Sequence, residues 1–133
     1  MKTSADPRHQ KRITRMRAAF AYSFSPETQD ETKEKDSNLA AIAKKLPKYD
    51  ELIAEAAPEW PISQINKVDL AILRVSIHEL LQNKTPEKVV IDEAVEIAKQ
   101  YGAEKSPAFV NGVLATILAH RTATKNPPDR GLS

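Results

Sequence analysis

The stretch from residue 66 to 83 constrains this chain more than any other. Leu70, Leu73, Ile77, Leu80 and Leu81 fall on one face of a helix, and Val68, Ile72 and Val75 on another. Lys67, Arg74, His78 and Gln82 form a polar stripe between them on one side, and Asp69, Ser76 and Glu79 lie near the other. A helix that is apolar on two sides belongs between neighbours, so the pattern predicts a central helix within a helical bundle. The rest of the chain agrees. It holds only three glycines, is rich in strong helix formers and has almost no alternating pattern, which together argue for an all-α fold.

Three dipeptides mark helix starts as a capping residue followed by proline: Asp6-Pro7, Thr85-Pro86 and Ser106-Pro107. The first predicted helix runs to about Phe24, with Ile13, Met16, Phe20 and Phe24 inward. Arg8, Lys11, Arg12 and Arg15 lie opposite, with Tyr22 on the same basic side. Residues 27–37 are charged and read as a loop or a frayed helix start, with helical patches at 38–46 and 48–57. Pro58, Trp60 and Pro61 then interrupt the chain. The helix after Pro86 places Val90, Ile91, Ala94, Val95, Ile97, Ala98 and Tyr101 in the core. Asp92, Glu93, Glu96 and Lys99 face outward, and Gly102 serves as C-terminal cap. The last helix, to about Arg121, has a greasy face (Phe109, Val110, Val113, Leu114, Ile117) and a small or polar one (Asn111, Gly112, Ala115, Thr116, Ala119). The expectation is one domain over 1–124 and a disordered tail over 125–133.

The formal net charge of +2 conceals a split. Residues 1–17 carry Lys2, Arg8, Lys11, Arg12, Arg15 and Arg17 against Asp6 alone, so a basic arm precedes a mildly acidic remainder. Such an arm suits a polyanion, although it can equally be a solvated, helix-promoting terminus. Cysteine is absent, and His9, His78 and His120 are too scattered to suggest a metal site. No glycine-rich phosphate loop or nucleophile motif occurs, so neither catalysis nor a cofactor is expected. There is no signal-peptide pattern and no apolar run long enough to cross a bilayer, which makes a cytoplasmic location the expectation.

Several blocks occur in a fixed order. They are Val68-Asp69-Leu70-Ala71-Ile72-Leu73-Arg74, His78-Glu79-Leu80, Pro86, the run from Lys88 to Lys99, Tyr101-Gly102 and Phe109-Val110-Asn111-Gly112-Val113-Leu114. In these the chain resembles the NusB family, well over 62–118, loosely over 8–24 and hardly over 27–60, which looks shortened. The resemblance implies a compact bundle of about six or seven helices in two packed sub-bundles. It further implies a bacterial transcription antitermination factor that binds boxA-type single-stranded RNA. The RNA is bound jointly with the ribosomal protein NusE, within an elongation complex containing other Nus factors, notably on ribosomal RNA operons. Some members self-associate, so a homodimer is open.

The same resemblance assigns RNA contact to the arginine-rich first helix, here Arg8, Lys11, Arg12 and Arg15, whose charges would neutralise phosphates. Tyr22 or Phe20 could stack on a base; packing is as open for Tyr22, and for Phe20 its place on the inward face favours the core. Asn111 can read a base edge or, alternatively, satisfy a neighbouring backbone group, and Gly112 reads as a helix-packing residue. Glu79 and Arg74 match residues at or near the family's NusE contact, where a carboxylate can steer a basic partner, and His78 beside them joins that candidate contact; the alternative is a surface or intramolecular ion pair. Three positions depart from the family: Ile13 and His78, where acidic and aromatic residues are usual, and Ala115, where an aspartate is common. Losing that last carboxylate leaves phosphate binding unharmed. The alternative is a helical protein-interaction module without RNA function, of the kind fused ahead of ribosomal RNA methyltransferase domains. With no such domain in this sequence, methyltransferase activity is not expected.

Overall fold

The computed structural model describes residues 6–23 and 37–125, with side chains placed for 6–23 and 40–121. Those residues form six α-helices: α1 (Pro7–Tyr22), α2 (Ser37–Lys44), α3 (Leu46–Ala56), α4 (Lys67–Gln82), α5 (Glu87–Tyr101) and α6 (Ser106–Lys125). A short 3₁₀ turn at Ile62–Gln64 precedes α4. Phe24, the charged stretch to Asp36 and the tail beyond Lys125 lie outside the described residues.

The two-faced pattern of 66–83 has its cause in the packing. Helix α4 touches all five other helices, and every residue from Asp69 to His78 is buried. Asn66 starts it, its Oδ1 accepting from the amides of Val68 (2.8 Å) and Asp69 (3.3 Å). Asn83 ends it in the left-handed conformation (φ 58°), which asparagine tolerates better than most residues. Arg121 of α6 reaches this end, donating to the Leu80 carbonyl (3.4 Å) and Asn83 Oδ1 (3.2 Å). Helices α1–α3 and the pair α5–α6 each pack against α4, and α3 also meets α6. The two groups share one apolar cluster, in which Ile53, Leu73, Ile77, Val110 and Leu114 are fully enclosed.

Two helix starts differ from the expected pattern. Pro86, rather than Thr85, is the flanking residue of α5, and no side chain caps that helix. Ser106 lies inside α6, where its hydroxyl accepts from the Ala103 amide (2.8 Å) across the turn. Gly102 does end α5, but at φ −93°, so a left-handed cap is not what requires glycine there. A Cβ at that position would lie 2.5 Å from Ser106 Cβ and 2.8 Å from the Ala98 carbonyl oxygen, so close approach of α5 and α6 is the reason.

Candidate functional site

Helix α1 is positioned by its two ends and by its inward face. Asp6 Oδ1 accepts from the Arg8 amide (2.9 Å), and this bond holds the Asp6 carboxyl below the usual carboxylate range. Pro7 sits in the first turn, where a missing N–H costs nothing. Ile13, Met16 and Ala19 are buried, and Phe20 packs against the core from a partly buried position. On the other side the Arg8 side chain is 86% exposed, 3.8 Å from Asp6. Lys11 and Arg17 are also exposed, and Arg15 is half-buried.

Arg12 departs from the expected basic row. At about 100° per residue it falls some 40° from Arg8 toward the inward face. There its Nε and Nη2 donate to Glu79 Oε1 (2.9 Å) and Oε2 (2.6 Å), and its Nη1 lies 3.6 Å from Glu93 Oε1. The bidentate bond to Glu79 raises the Arg12 pKa further, against the opposing effect of burial. Glu93, expected on the outer face of α5, is instead 3% exposed and sits 2.7 Å from His9 Nδ1, itself 3% exposed. His9, Arg12, Glu79 and Glu93 thus form one polar knot joining α1, α4 and α5. A charge removed from water must be paired, and the spacing of these residues within each helix could not reveal that pairing.

The three residues expected at a protein contact are drawn inward as well. Arg74 is 8% exposed and donates from Nε and Nη2 to Asp50 of α3 (2.9 and 2.7 Å). His78 is 6% exposed, with Tyr49 Oη 2.9 Å from its Nδ1 and Gln82 Nε2 3.0 Å from its Nε2. Burial raises the Tyr49 hydroxyl pKa. Glu79, with a side chain 19% exposed, is held by Arg12. A groove of about 220 Å³ nonetheless brings His78 and Glu79 together with Arg15, Gln82 and Lys84, so the RNA and protein expectations converge on one surface. Tyr22 is half-buried and turned toward α2, where it lines a narrow cleft with Ile42, Ala43 and Leu46.

On α6, Asn111 is exposed and shares a groove with Asp92, Glu96 and Lys99 of α5. The last two pair with each other at 3.4 Å. Gly112 is exposed, and a Cβ there would meet nothing within 4 Å, so packing against a neighbouring helix is not its role. Gly112→Ala is therefore expected to stabilise the fold by about 0.5–1 kcal/mol, the helix preference for alanine over glycine. A thermal melt checks this; a lower midpoint would contradict the open environment. One surface feature carried no sequence signal as a pair. Arg17 donates to Tyr101 Oη (3.1 Å) and lies 5.2 Å from that ring's centroid, leaving an aromatic 39% exposed at the junction of α1 and α5. Two residues 84 positions apart become neighbours only through the fold.

Comparison with known proteins agrees with this architecture. The NusB family model matches residues 6–119. A transcription antitermination protein NusB from Roseiflexus castenholzii is 55% identical over 73 residues, covering 53% of this chain and 51% of that protein. Another, from an Anaeromyxobacter species, is 34% identical over 111 residues, covering 84% and 78%. The match thus spans about half the length of the Roseiflexus protein. The crystal structure of T. maritima NusB superposes with a TM-score of 0.74 at 34% identity, covering 90% of this chain and 93% of that one. With the family pattern running from the first helix almost to the end of the last, and the same helical architecture in a solved relative, this chain belongs to the NusB family.

Proposed function

We propose that the chain is a non-enzymatic, cytoplasmic transcription antitermination factor that binds boxA-type RNA through the exposed side of α1, jointly with NusE. The observation that carries this reading is an anchored basic helix. Arg8 and Lys11 stand exposed on a helix whose inward face is fixed to α4 and α5 by Arg12 and His9. A helix already held in place presents its cations to phosphates with no backbone ordering cost at the moment of binding, so only the side chains must be ordered. The exposed Arg17–Tyr101 pair adds a ring on which an unstacked base can lie. Asn111, with Asp92 and Glu96 beside it, suits a base edge carrying N–H donors better than a phosphate.

A salt titration of a boxA-type RNA, with and without NusE, tests the proposal. For Arg8→Ala combined with Lys11→Ala, affinity is expected to fall about tenfold or more at low salt. The slope of log K against log salt should flatten by about 1.4, that is, about 0.7 per lost single-strand phosphate contact. An unchanged slope in a folded double variant would remove α1 from the RNA path. The acidic groove at Asn111 favours the second reading, an interaction module without RNA function. Retained NusE binding with no RNA binding would select it. Self-association that hides the α1 face would appear as RNA affinity falling with protein concentration.

A further inference from the structure

A second groove, of about 570 Å³, opens where the 3₁₀ turn meets the first turns of α4 and α6. Its walls are Trp60, Ile65, Ala108 and Phe109, with Asn66, Asp69 and Lys105 as polar lining. Two features of it are unexplained by the fold or by the proposed RNA path. Trp60 is 49% exposed, the most exposed large apolar side chain among the described residues. Asp69 is 5% exposed, yet its Oδ1 has no hydrogen-bond partner, and it is the only such buried side-chain atom among the described residues. We infer that this groove receives an arginine or lysine side chain from a basic segment of a partner protein, its aliphatic stem lying on Trp60 and Phe109 and its cationic head meeting Asp69.

The chemistry selects that occupant. A buried acceptor without a donor carries a desolvation penalty that a charge-assisted N–H bond would remove. Burial pushes the Asp69 carboxyl up while a hydrogen bond from Ser106 pulls it down, and an incoming cation would add to the second effect. An indole beside a carboxylate also suits a long cationic side chain, whose methylenes cover apolar surface while its head stacks or pairs. A nucleic acid fits poorly. The groove offers Lys105 as its one cation, and a carboxylate in the lining repels phosphate. The site is separate from the basic side of α1, so its failure would leave the RNA proposal standing.

Trp60 is the chain's sole tryptophan, so its emission reports on the groove directly. The full chain is titrated with a blocked tripeptide holding arginine between two leucines, with its citrulline counterpart, and with a boxA-type RNA oligonucleotide. The arginine peptide is expected to shift Trp60 emission saturably and to bind about tenfold more tightly than the uncharged citrulline peptide. Asp69→Asn should abolish that preference. Lys105→Glu, at an exposed position that cannot compromise the core, should tighten the arginine peptide a few-fold by removing a like charge. Equal binding of the two peptides by both the parent and Lys105→Glu would overturn the inference. So would an RNA-induced emission change that competes with the peptide.

Discussion

Replacing Arg12 with alanine is expected to destabilise the fold by about 3–5 kcal/mol, the range for removing one partner from a buried ion pair. Its side chain is 12% exposed, and it is the cation between Glu79 and the 4%-exposed Glu93 side chain. Without it, Glu79 on α4 loses its countercharge, Glu93 on α5 keeps His9 beside it, and α1 loses two of its bonds to α4. A urea titration should show the midpoint falling with little change in slope. Substituting methionine for Arg12 together with glutamine for Glu79 and Glu93 should recover part of the loss, because fewer charges then remain buried. A single variant within about 0.5 kcal/mol of the parent, the range of ordinary surface changes, would show that the knot is solvated and unimportant. The result also decides how RNA binding must be tested. Arg12→Ala would lower RNA affinity by loosening α1 whether or not Arg12 touches RNA, whereas Arg8 and Lys11 are free of that ambiguity.

Arg74→Ala is expected to cost about 2–3 kcal/mol, close to the value of a hydrogen bond to a charged group plus the desolvation left behind. The effect is smaller than for Arg12 because the Asp50 side chain is 25% exposed and water can reach it once the guanidinium is gone. The bidentate bond ties α3 to α4. A double-mutant cycle with Asp50→Ala should therefore give a coupling of about 1 kcal/mol or more, and Asp50→Ala, which leaves the more deeply buried Arg74 unpaired, should cost at least as much as Arg74→Ala. A stable Arg74→Ala variant that had lost only NusE binding would restore Arg74 to the partner surface.

Much of the fold was legible in the sequence because burial imposes periodicity. The two apolar faces of 66–83 predict a helix with neighbours on both sides, and α4 has them. Asp6-Pro7 acts within a few residues of itself, so the start of α1 can be read locally. Gly102 was legible as an end of α5 for a different reason than the true one, because its neighbour Ser106 belongs to the next helix. The candidate site was legible as a set of residue types and not as an arrangement. Arg8 and Lys11 remain on the surface, whereas Arg12, Glu79 and Glu93, polar in sequence, meet inside.

The sequence by itself determined six helical segments, a central one among them, and an excess of positive charge on the first. Hydrophobic spacing and short-range capping act along the chain and can be read along it. Only the tertiary structure decided which charges face solvent and which are spent on one another. It also brought Tyr101 beside Arg17 and closed Trp60, Phe109 and Asp69 around one groove. Pairing energy depends on distance and burial between residues remote in sequence, and neither quantity exists until the helices have packed.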